Sequence, residues 1–211
     1  RVLFRSVWSI VPPGLTVKCY PCCGANLRAL DATQDLMREQ GIRIDAVEKL
    51  EVDVHPDLLC IVRFHKPTEG FRGKFSLDYV LAAMLLDGKV DLDSFTDEYC
   101  NAPRMRAALE KIQINTHPEW PSNEHTQRHS PVTIRLKDGR SFSKTVDKVR
   151  GSPGNPLTRD ELLAKYRLCA GRVLKGERLE RSVSLLEGLE NVPRVARSEE
   201  HTSELQSRLH L

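Results

Sequence analysis

Lys18-Cys19-Tyr20-Pro21-Cys22-Cys23 sets a cation, an aromatic ring and three thiols side by side, directly ahead of a helix-forming stretch. An ammonium next to a positively polarised helix start is a place where a carboxylate can accept from both. The thiols invite a metal or redox reading, and spacing argues against each. Zinc takes four ligands, and no second Cys-x-x-Cys or spaced histidine pair stands nearby. His125 and His129 have an i,i+4 spacing that works only on a helix, while Pro121, Ser122 and Ser130 mark a loop. Tyr20-Pro21 sits inside Cys19-x-x-Cys22 without the βαβ surroundings of a dithiol oxidoreductase. Buried thiols and solvated histidines are the simpler reading, and no metal is expected.

The second candidate is Tyr79. It stands in Lys74-Phe-Ser-Leu-Asp-Tyr-Val-Leu-Ala-Ala-Met-Leu-Leu-Asp-Gly88, opposite Leu77 and Leu81 on a helix with little polar surface. Such a helix packs on most sides, so the Tyr79 hydroxyl needs a partner, either backbone or ligand. Taken alone, Lys18 reads as a surface lysine and Tyr79 as a core tyrosine. No Ser-His-Asp arrangement, glycine-rich phosphate loop or paired catalytic carboxylates follow from spacing.

The elements that position these residues are legible in outline. A short extended stretch at 17–20 stops at Pro21, and Leu27, Leu30, Gln34 and Met37 then follow helical spacing up to Gly41. Leu50, Val52 and Val54 alternate with Lys49, Glu51 and Asp53 as in a half-buried strand, and 58–64 reads as another strand. Ser76 is an N-cap and Gly88 a terminator for the apolar helix. A short helix at 104–110, a strand at 112–115 and a loop at 116–130 follow. Val132, Ile134 and Leu136, then Asp138-Gly139, then 142–146 make the clearest hairpin. Gly151-Ser-Pro-Gly-Asn-Pro156 breaks the chain, and Thr158-x-x-Glu161 is a capping box opening the first of two helices, the second near 178–189.

Composition limits the function classes. A formal charge of +3 from 32 cations and 29 anions makes no broad basic field, so nucleic acid is not expected. No apolar run approaches a bilayer span of roughly 20 residues. Six cysteines in a chain of 211 residues do not resemble a secreted disulfide framework, and free thiols in a reducing cytoplasm are expected.

The order and spacing of several motifs resemble the C-terminal half of the MmgE/PrpD family, the 2-methylcitrate dehydratases and cis-aconitate decarboxylases. They are Lys18-x-Tyr-Pro-Cys-Cys23 with Leu30-Asp31-Ala32, Lys74-Phe-Ser-Leu-x-Tyr79 with Leu85-Leu-Asp-Gly88, and Phe95-x-Asp97-Glu98. Lys111-Ile112, Gly151-x-Pro-x-Asn-Pro-Leu157 and Cys169-Ala170 complete the set. The resemblance covers most of residues 15–190. It implies an α+β fold: an antiparallel-sheet lid-type domain at 17–150, followed by a helical pair at 151–196 that packs on an all-α domain not in this chain. It implies cofactor-free lyase chemistry on di- and tricarboxylates, as in propionate metabolism, or epimerisation of an imino-diacid in one branch. Lys18 and Tyr79 match lid residues that meet the substrate and serve as binding and catalytic candidates. The parent enzyme is expected to be a cytoplasmic homodimer. Many members carry a histidine nine residues after the lysine, where this chain has Leu27. Acid/base groups of the helical domain would lie upstream, so the fragment is expected to be inactive alone. The rival reading is a non-catalytic interaction or metal-binding module built on Cys19, Cys22 and Cys23.

Both ends read as non-native. Residues 1–6, Arg-Val-Leu-Phe-Arg-Ser, and 197–202, Arg-Ser-Glu-Glu-His-Thr, are what the two senses of one adapter-like nucleotide string encode, and 203–211 continue the second. Residues 7–16 then form a connecting loop. The late helices carry Leu162, Tyr166, Cys169, Val183 and Leu186 as apolar stripes without a partner, so an exposed patch and self-association are expected.

Overall fold

Residues 77–85 are all buried, which is the physical centre of the fold. The computed structural model describes residues 14–123 and 129–191. The adapter-like ends, residues 7–13 of the connecting loop and His125 lie outside the described residues. The chain divides into two units between Pro156 and Leu157.

In the first unit, a 3-10 turn at Gly24–Asn26 leads into α1 (Leu27–Glu39), followed by β1 (Val47–Val54) and α2 (Pro56–Ile61). Then come α3 (Gly70–Gly73), α4 (Leu77–Asp87), α5 (Asp97–Asn101) and α6 (Pro103–Leu109). Strands β2 (Ile112–Thr116), β3 (Val132–Leu136) and β4 (Ser141–Lys144) complete it. The α+β class holds. The sheet runs β2-β1-β3-β4 and is mixed: β1 pairs parallel to β2, with Leu50 beside Ile112, and antiparallel to β3, with Leu50 beside Ile134. The expected antiparallel sheet is therefore corrected at one edge. The helices between β1 and β2 bring the chain back to the same end, as a parallel pair requires.

The expected strand at 58–64 is instead α2 at its start. Pro56 occupies a first-turn position, where its missing N–H is harmless, and the His55 side chain accepts from the Asp57 amide at 3.1 Å. The alternation of β1 holds, with Val47, Leu50, Val52 and Val54 buried.

Helix α4 packs against α1, α6 and β2. Ser76 caps it by accepting from the Tyr79 amide, and Gly88 closes it at φ 66°, a left-handed conformation that glycine takes without a Cβ penalty. Asp78, buried in its first turn, is satisfied rather than stranded. One oxygen takes the Tyr79 amide at 2.8 Å and the Ser76 hydroxyl; the other takes the Lys66 amide at 2.9 Å and lies 2.5 Å from His65 Nδ1. Among the described residues no helix is long and apolar enough to cross a membrane.

The second unit holds α7 (Arg159–Ala170) and α8 (Glu177–Glu187). The Thr158–Glu161 capping box forms in both directions. Tyr166 donates to Ser182 at 2.9 Å, and Arg167 grips Glu180 with two nitrogens. Leu162, Leu168, Leu186 and Leu189 are exposed in this unit.

At the end of β2, His117 bridges two carboxylates, with Nε2 at 2.9 Å from Asp53 and Nδ1 at 2.8 Å from Glu119, and stacks on Trp120. The hydrogen bond to Asp53, then that to Glu119, raises its pKa above the ordinary 6.5. With the folded value above the unfolded one, the imidazolium adds stability that is fully present below about pH 6.5 and lost as pH rises through the folded value. An NMR titration should place the His117 midpoint above 6.5, with the protection factors at 119–120, corrected for base-catalysed intrinsic exchange, falling as pH passes it. In His117→Asn that pH dependence should vanish.

Candidate active site

Two segments far apart in sequence line one cavity of about 550 Å³. One wall is the N-terminal motif and the start of α1, contributing Thr16, Lys18, Cys23, Gly24, Leu27 and Arg28; the other contributes Asp147, Lys148, Val149 and Ser152, and Ile61 closes one side. Three cationic side chains thus share the lining with one carboxylate. A polyanion gains from this field, since charges converging on a concave wall reinforce each other.

Lys18 is exposed and lines the cavity. Its Nζ lies 3.4 Å from the Cys22 carbonyl, and its Cε is the atom nearest the open side of Gly24, where the 3-10 turn begins. Lys18 thus lies beside the 3-10 turn that precedes α1. Leu27 also lines the cavity. Its side chain makes that part of the lining apolar.

Tyr79 is not in that lining. Its ring is fully buried, and its hydroxyl donates to the Ser94 carbonyl at 2.5 Å. Burial, first, pushes its pKa far up, leaving a hydrogen-bond donor rather than a titrating acid. Of the two partners the sequence allowed for this hydroxyl, backbone is the one formed. The structure does not bring Tyr79 and Lys18 into one cavity. It links their motifs otherwise: the Lys74 carbonyl accepts from the Cys23 amide at 2.9 Å and from Asn26 Nδ2 at 3.3 Å. Tyr79 packs so closely on Gly73 that a Cβ there would stand 2.6 Å from its ring. It braces the segment that carries Lys74.

The six cysteines form no disulfide, and among the described residues no group of three or more His, Cys, Asp or Glu converges. Cys22 is buried, and desolvation pushes its pKa up to about 12, so it stays a thiol rather than a thiolate ligand or nucleophile. Cys19 donates to the Arg150 carbonyl at 3.4 Å, tying the motif to the far wall.

Sequence reasoning missed Arg28, Asp147 and Lys148, whose approach to Lys18 is tertiary. The breaker cluster at 151–156, which the sequence reading joined to the late helices, goes with the first unit. The Val17 amide donates to the Gly151 carbonyl at 2.8 Å, and Ser152 lines the cavity.

This α+β unit with a cation-lined cavity at its N-terminal motif matches a known family. A model of the MmgE/PrpD C-terminal domain covers residues 20–190, and the chain belongs to that family. Among similar curated proteins, the cis-aconitate decarboxylase of Mus musculus is 29% identical over 148 residues, covering 70% of this chain and 30% of that protein. That of Homo sapiens is 29% identical over 127 residues, 60% of this chain and 26% of the relative. That of Aspergillus terreus is 25% identical over 191 residues, 84% and 38% respectively. The chain thus spans between 26% and 38% of the length of these relatives.

Removing the Tyr79 hydroxyl tests its bracing role. Tyr79→Phe should destabilise the fold by about 1–3 kcal/mol, because a buried carbonyl loses its donor. The urea midpoint of the chain should fall accordingly, whether or not any carboxylate is present.

Proposed function

We propose that this chain is the C-terminal part of a lyase that removes carbon dioxide or water from a di- or tricarboxylic acid. The observation that carries this is the cavity itself, whose lining gathers Lys18, Arg28 and Lys148 with the single carboxylate of Asp147. The family membership and the names of the relatives support it.

The chemistry asks for such a site. Loss of carbon dioxide or water beside several carboxylates passes through a state with more negative charge on carbon or oxygen than the starting acid. Fixed cations and a helix start lower that barrier in a site with little water. In this reading Lys18 meets one substrate carboxylate and Lys148 another, so the substrate bridges the two walls. Leu27 shapes the pocket without supplying a proton. The proton-transfer groups belong to the remainder of the longer enzyme, which leaves this part to bind and orient. Tyr79 acts on the site only through the segment at 73–76.

The test is an assay of the full-length enzyme for carbon dioxide release from cis-aconitate and water release from 2-methylcitrate. One of the two should be turned over; activity on neither, with epimerisation of an imino-diacid instead, would move the chain to that branch. A stoichiometric metal held by the cysteines would favour the non-catalytic module. In the active enzyme, Lys18→Ala should lower kcat/KM by roughly 30- to 1000-fold, from about 2–4 kcal/mol of lost transition-state stabilisation. Lys49→Ala, on β1 beside Glu51, should change it by less than about twofold.

A further inference from the structure

Behind the cavity lies a buried polar cluster that the proposed chemistry does not use. Asp31 and Gln34, three residues apart on α1, are 3% and 6% exposed. The Tyr20 hydroxyl reaches Asp31 Oδ1 at 2.9 Å and Gln34 Oε1 at 3.2 Å. From the other wall, the Arg150 amide donates to Asp31 Oδ2 at 2.8 Å, and an Arg150 guanidinium nitrogen donates to Gln34 Oε1 at 2.6 Å. Gln34 Nε2 donates to the Gly88 carbonyl at 3.2 Å, anchoring the cluster to the end of α4.

The connectivity is the informative part. Tyr20 lies two residues after Lys18, and Arg150 two residues after Lys148. One carboxylate therefore holds, with its two oxygens, the two segments that carry Lys18 and Lys148. We propose that Asp31 is a positioning residue that sets the spacing between Lys18 and Lys148, and so makes the cavity selective for acids with two or more carboxylates. This rests on the reading of the cavity given above.

Asp31 suits the task because an ionised carboxylate only accepts, and both of its partners donate. Its place is not what stability alone would choose. Burial, first, raises its pKa, and the Arg150 amide and Tyr20 hydroxyl only partly offset this. An apolar side chain would fill the same volume without that desolvation, yet would leave the Tyr20 hydroxyl to Gln34 alone and the Arg150 amide without Asp31 as acceptor.

Two substitutions separate the clamp from mere structure. Asp31→Asn can keep both contacts: its amide oxygen accepts from Arg150, its amide nitrogen donates to the Tyr20 oxygen, and the Tyr20 proton turns to Gln34. Asp31→Ala keeps neither. Calorimetric binding to the full chain is measured with cis-aconitate, which needs both walls, and with acetate, which needs one. Asp31→Ala should weaken cis-aconitate at least about tenfold while leaving acetate within about twofold, and Asp31→Asn should restore cis-aconitate to within about threefold. Equal losses for both acids, no loss for either, or no rescue by Asn would overturn the proposal. If Asp31→Ala does not fold, Tyr20→Phe, which cuts only one arm, should show the same selective loss in smaller measure, and a uniform loss overturns the proposal. If the parental chain binds neither acid, the cavity reading fails first. Hydrogen exchange at the Arg150 amide then decides the clamp on its own: fast in Asp31→Ala and slow in Asp31→Asn supports it, and equal rates refute it.

Discussion

The constraint on which this fold depends is the burial of α4. A helix with buried side chains on every face cannot end a domain; it must be surrounded, and α1, α6 and β2 pack against it. Each fully buried leucine or methionine there contributes about 1.5–3 kcal/mol relative to exposure. The rest of the first unit is arranged around that requirement. The sheet gains its parallel pair because the helices between β1 and β2 must pass over the same core. The functional corner hangs from the two ends of α4: the Lys74 carbonyl before it receives the Cys23 amide, and the Gly88 carbonyl after it receives Gln34.

That attachment connects packing to electrostatics. The N-terminal motif has no regular structure of its own between Val17 and Cys23. It is held by Tyr20, which is 5% exposed, by the Val17–Gly151 hydrogen bond and by the Lys74 carbonyl. A loop fixed at three points keeps its charged side chain at a defined place, which is what recognition of a polyanion needs. The exposed part of the motif is Lys18, and the buried parts are its supports.

How far this was legible depends on the range of each interaction. The Ser76 cap, the Gly88 terminator, the Thr158–Glu161 box and the alternation of β1 are local signals, and each formed as read. The apolar run at 58–64 suits either state, and the features that decide for helix, Pro56 and the His55 cap, precede it. The β1–β2 pairing is non-local, and nothing in Ile112–Thr116 names its partner strand. For the cavity lining, Lys18 stands out in the sequence because a helix start is only a few residues away. Arg28 and Lys148 do not, since their meeting with Lys18 is a property of the folded chain. Gln34 is a polar residue within an apolar stripe; with Asp31 three residues before it, that anomaly is the sequence signal for the buried cluster. Tyr79 shows the opposite case: the need of its hydroxyl for a partner was legible, but not that the Ser94 backbone would supply it.

The claim that joins fold to function is that a polycarboxylate sits between the two cationic walls. Residue-resolved NMR during titration of the chain with cis-aconitate tests it most directly. The amides of Lys18, Gly24, Arg28 and Lys148 should shift together along one saturable curve, while those beside the separate cation–π pairs of Arg63 and Arg72 with Phe64 stay in place. Shifts spread over surface cations without saturation, or a saturable response confined to the Arg63–Arg72 face, would contradict it.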